Sequence, residues 1–251
     1  MEILGIKISE STAELIENLY ASLSKPVRYL PLDGEDILGA IEVSETPAGG
    51  VYSVSLLTAI DGRLFESNVL YELYHIRQFE QGFPTLCSKN SELLRTQNEF
   101  VEELRGTILS TVLDLEVFVQ LMENRFVDTL MWFTDNIYKD LTLSGALYLN
   151  RLNDKHNFAN HVVNFVRVLY HTGENQDEEV REIYAGYPTV LERSFELRDT
   201  LRMNPPNSPK TAAIALGLMV DSLELWDLFF IKLGDETIRT KGEFAAFKPG
   251  I

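Results

Sequence analysis

The chain has 251 residues, 45% of them apolar, enough for one sizeable globular domain or two small ones. Its 38 acidic and 22 basic side chains leave a net charge of −16. That argues against nucleic acid or an anionic membrane as a partner, since both call for a basic face. A lone cysteine, Cys87, excludes an internal disulfide and favours a reducing, cytoplasmic setting. Glu2 and the residues after it show neither the basic flank nor the apolar run of a secretory leader. The longest apolar stretch, Ala212 to Val220, falls short of the roughly 20 residues that span a bilayer.

In chain order, Ser11 and Glu14 form a capping box, and Ala13, Ile16, Leu19, Tyr20 and Leu23 follow at helical spacing. They predict a helix over Ser11–Ser24, ended by Lys25-Pro26. Three β-like runs come next, Val27–Leu30, Ile37–Val43 and Val51–Leu57, separated by turn signals at Asp33-Gly34 and Pro47-Ala48-Gly49-Gly50. They predict a small antiparallel sheet. Asp61-Gly62 then leads into an amphipathic helix within Leu64–Leu86, with its stop at Gly82-Phe83-Pro84. Beyond it, helical periodicity covers Ser91–Leu104, Thr107–Asn124, Val127–Leu141, His156–His171, Glu178–Tyr184, Pro188–Arg202 and Ser208–Leu233. Gly106, Gly145, Gly173 and the loop Asn204-Pro205-Pro206-Asn207 punctuate this part, and no further strand is expected before the tail. The reading is an α+β fold, mainly α: one domain over 1–251, with a strand-containing part at 1–86 and a helical bundle at 87–251. Trp132, Phe133 and Tyr138, like Trp226, Phe229 and Phe230, recur at helical spacing and read as core aromatics.

The helix from Leu64 carries the one chemically suggestive pattern. Val69, Leu73 and Ile76 make an apolar stripe, with Asn68, Glu72 and His75 beside it. Its centre, Tyr71-Glu72-Leu73-Tyr74-His75, is one substitution away from HExxH. In that motif two histidines one turn apart hold Zn²⁺, and the glutamate acts as general base on the metal-bound water. The segment VLYELYHIRQFEQGFP resembles the metal-binding helix of zincin-like metallopeptidases. The resemblance covers about 23 residues and implies an α+β fold, one zinc ion and peptide-bond hydrolysis. It puts Glu72 in the place of the general base and His75 in that of the second ligand. Tyr71 stands in the place of the first. The third ligand would come from a later helix, where Asp114, Glu116 or Glu123 are available. A histidine is expected just after the acidic pair, and Val117 and Phe118 stand there instead.

These departures matter chemically. A phenol with an ordinary pKa near 10 is a poor zinc ligand at neutral pH, and without a metal Glu72 has no activated water to deprotonate. The sequence reading is therefore a non-catalytic descendant of the peptidase scaffold, binding a protein or peptide in a cleft around Tyr71, Glu72 and His75. Two alternatives stay open: an active zinc hydrolase with an unusual ligand set, using His75, a carboxylate of the Asp114 to Glu123 helix (Asp114 or Glu116 first) and a remote His, or a helical scaffold protein unrelated to peptidases. No cofactor is expected, zinc being the one the motif would take. His75 among aromatic neighbours also reads as a packed imidazole, and Glu72 as a partner for Arg77, Arg95 or Tyr71. His156, His161 and His171 do not share a helix face in a way that makes a metal site. Cys87 lacks a sequence context for nucleophilic chemistry. No nucleophile elbow, phosphate-binding loop, dinucleotide fingerprint or CxxC is present.

Overall fold

A computed structural model describes residues 1–32, 38–46, 49–89, 95–136, 139, 155–171 and 174–248. The predicted turns at Asp33-Gly34 and Pro47-Ala48, the breaks at Gly145 and Gly173, and Tyr138 lie outside the described residues. So do the first residues of the helix predicted from Ser91 and the last of the one predicted to Leu141. The fold is α+β and mainly α, and no helix among the described residues is long and apolar enough to cross a membrane. The chain divides into two compact units, Met1–Gly82 with Val117–Trp132, and Phe83–Glu116 with Phe133–Ile251.

The first unit opens with a short hairpin, β1 (Glu2–Ile3) and β2 (Ile6–Lys7). Leu4 and Gly5 both take positive φ between its strands, at 52° and 80°, as a two-residue hairpin turn requires. Helix α1 (Glu10–Ser22) follows, burying Thr12, Ile16 and Leu19. Strands β3 (Val27–Leu32), β4 (Gly39–Thr46) and β5 (Gly49–Leu57) form a sheet in the order β3-β5-β4. The expected antiparallel pairing holds for β4 with β5, but β3 runs parallel to β5. Strand β5 takes the centre, with Tyr52, Val54 and Leu56 buried on one face and Ser53 and Leu57 on the other. Pro31, without a backbone N–H, confines β3 to an edge.

Helix α2 (Gly62–Glu80) starts where the Asp61 side chain accepts a hydrogen bond from the Arg63 N–H at 2.8 Å. It ends at Gly82, whose φ of 75° is the left-handed stop the sequence signals. It packs on α1, β4 and β5. Phe65, Val69, Leu70 and Leu73 are fully buried, each worth about 1.5–3 kcal/mol of transfer free energy.

In the second unit, strands β6 (Thr85–Ser88), β7 (Phe229–Leu233) and β8 (Glu236–Ile238) form an antiparallel sheet. Helix α3 (Arg95–Glu123) gives its residues up to Glu116 to this unit, and the rest to the first. It runs unbroken through Gly106, where two helices were predicted. A mid-helix glycine costs only about 1 kcal/mol, and the buried stripe of Val101, Leu104, Ile108, Val112 and Leu115 outweighs that. Helical residues 128–136 make α4. Then come α5 (Lys155–His171), α6 (Glu174–Ile183), α7 (Pro188–Met203), α8 (Pro209–Ser222) and α9 (Lys241–Phe247).

Helix α5 packs on α7, α7 on α8, α8 on β7 and α9 on β8. Gly217 of α8 leaves room for the Phe244 ring of α9. The helix predicted over Ser208–Leu233 stops at Ser222, and the rest of that stretch is instead a loop and β7. The stop is a left-handed residue that is not glycine. Glu224 has φ 56°, its N–H bonds to Asp221 O, and the Leu225 N–H reaches back to Val220 O, closing a Schellman motif. Phe229 is fully buried, as expected of a core aromatic, but on a strand.

Candidate functional site

Helix α2 gathers most of the first unit's buried polar side chains. Glu66, Ser67, Asn68, Glu72 and Gln78 are all buried on it, and such groups are stable in a core only when hydrogen-bonded. Glu66 accepts from the Ser9 N–H at 2.6 Å, from the Ser9 hydroxyl at 2.7 Å and from the Thr12 hydroxyl. Ser9 makes no side-chain cap to its own helix, so a carboxylate on α2 holds the N-terminus of α1. Burial pushes the Glu66 carboxyl up, but the Thr12 and Ser9 hydrogen bonds and the Arg63 charge outweigh it, and the group lies below its ordinary value.

At the next residue, Ser67 Oγ is 2.8 Å from Thr129 Oγ1. The Asn68 amide donates to Leu38 O at 2.8 Å. Glu72 reaches the residue after Leu38, the first of β4: a Cβ on Gly39 would come within 2.4 Å of Glu72 Oε1. The glycine at the start of β4 thus gives the carboxylate its place. Glu80 closes the helix with bonds from the Ser24 N–H at 2.8 Å, the Ser24 hydroxyl at 2.5 Å and the Tyr52 hydroxyl at 2.8 Å. Burial raises its carboxyl, and these bonds with Lys25 bring it below the usual range.

The residues singled out from the motif lie close together on α2 but in aromatic company. Tyr71 meets His75 edge-on at 4.5 Å between ring centroids. On its other side it stacks with Phe118 at 5.8 Å and 26°. Tyr71 is 7% and Phe118 1% exposed. Tyr71 stands at the first of the motif's histidine positions, and Phe118 is one of the two residues, Val117 and Phe118, at which the resemblance leaves a second one expected. His75 Nδ1 lies 3.0 Å from Gln78 Oε1. The Arg77 guanidinium lies over the Tyr74 ring at 4.7 Å.

Of the residues considered for a third ligand, Asp114 and Glu116 belong to the second unit and Glu123 to the first. Asp114 is fully buried and ion-paired with Arg167, Oδ2 to Nη2 at 2.5 Å. The Arg167 guanidinium in turn lies over the Phe133 ring at 4.9 Å. Among the described residues, no three His, Cys, Asp or Glu side chains form a group able to hold a metal ion. His161, on α5, is buried, and burial lowers its pKa, favouring the neutral ring. Cys87 lies in β6, half-buried.

Sequence reasoning found the polar stripe of α2 but missed what its members touch. Gly39 beside Glu72, the Glu66 clamp on α1 and the Tyr71–Phe118 stack all join residues at least 30 positions apart, and no spacing rule connects them. In comparison with known proteins, the chain matches no family model, no curated protein and no solved structure.

Proposed function

We propose that this protein is a non-catalytic descendant of a zincin-like metallopeptidase scaffold, working as a protein- or peptide-binding module. The stack of Tyr71 on Phe118 carries this reading. Two buried aromatic rings are in contact, one at the place of the first expected imidazole and one at Phe118, which with Val117 occupies the stretch where another is expected, and neither offers zinc a good donor at neutral pH.

Strand β4 supplies a surface for binding. The Leu57 N–H donates to Leu38 O, and the register continues Gly39↔Leu56 and Ala40↔Ser55. Antiparallel alternation therefore turns the backbone groups of Gly39, Ile41, Val43 and Glu45 away from β5. The opposite edge, β3, is blunted by Pro31 and carries the exposed Arg28, two devices that discourage strand addition. Strand β4 has no proline and no basic residue over its eight positions, so it accepts an extended peptide by main-chain pairing. The exposed Glu42 and the net charge of −16 favour a basic one.

Peptides selected from a displayed random library test the reading. Val43→Pro removes one outward N–H and no ladder bond, so selected peptides are expected to lose at least roughly tenfold in affinity with thermal stability nearly unchanged. Unchanged affinity for every selected peptide would overturn the edge assignment. Elemental mass spectrometry of the purified chain tests the other half: about one zinc per chain, lost in His75→Ala, would overturn the non-catalytic reading.

A further inference from the structure

We draw no further inference here: the strongest candidate, the exposed apolar patch of Val119, Met122, Val127 and Met131 around the turn between α3 and α4, carries nothing because nothing in the structure shows what covers it.

Discussion

In the first unit the buried carboxylate of Glu66 is held by neutral donors, the Ser9 N–H and the hydroxyls of Ser9 and Thr12. In the second the buried carboxylate of Asp114 is held by a guanidinium, that of Arg167. Both arrangements satisfy an anion in the core, but they fail differently. Hydroxyls that lose their acceptor stay neutral and rebond to water or to each other. A guanidinium that loses its anion stays charged and partly buried, because arginine does not deprotonate. The first unit's polar interior is therefore sensitive to titration, and the second's to removal of a partner.

The largest expected effect breaks the second arrangement. Asp114→Ala leaves Arg167 uncompensated and is expected to cost about 3–5 kcal/mol, read as a lowered midpoint in chemical denaturation. The double variant Asp114→Ala with Arg167→Met should recover part of that loss. If the single variant costs under about 1 kcal/mol, the pair is solvated and the comparison collapses.

Next in size is a packing change away from any charge. Gly217→Ala would bring a methyl group within 2.0 Å of the Phe244 ring. It should cost about 1–3 kcal/mol and loosen α9 first, seen as faster amide exchange over Lys241–Phe247.

Glu66→Gln sharpens the contrast in the first unit. It keeps the shape and removes the charge that three donors favour, at an expected cost of about 1–2 kcal/mol at pH 7. Because the folded-state pKa of Glu66 lies below its ordinary value, its contribution is complete above the unfolded carboxyl value of about 4.3 and fades as pH falls through the lower folded value. Wild type should thus lose more stability than Glu66→Gln between pH 5 and pH 3. Parallel pH profiles for the two proteins would remove Glu66 from the account.

The smallest effect has the opposite sign. Gly106 sits mid-helix with nothing within 4 Å of where a Cβ would stand. Gly106→Ala should therefore raise stability by about 0.5–1 kcal/mol, measurable as a modest rise in melting temperature.

Helices α1 and α2 and the three strands between them were legible because each signal is local. Apolar periodicity marks the elements, and Gly82 with Pro84 marks the stop of α2 at a residue whose φ needs glycine. The end of α8 was not legible, since Glu224 takes the same left-handed conformation without glycine's signature. The run Phe229–Leu233 is short and apolar, so its sequence suits a buried strand as well as a helix end. The parallel pairing of β3 with β5 also escaped, because period-2 alternation fixes which face a residue takes and not which neighbour the strand chooses. At the site, the same limit hid the meeting of Tyr71 with Phe118. Tyr71, and Val117 with Phe118, were visible in the sequence as departures from the motif it resembles, and only the fold shows that Tyr71 and Phe118 touch.

The first unit is discontinuous in sequence, taking in Val117–Trp132 after Met1–Gly82, and this bears on how the protein is made. Tyr71 awaits Phe118, Tyr74 awaits Asn124, Ser67 awaits Thr129 and Arg63 awaits Asp128. On a ribosome adding about 5–20 residues per second, α2 emerges several seconds before the segment that covers it. During that interval its apolar flank faces solvent or a chaperone, so the rate of translation through residues 83–132 becomes part of the folding problem.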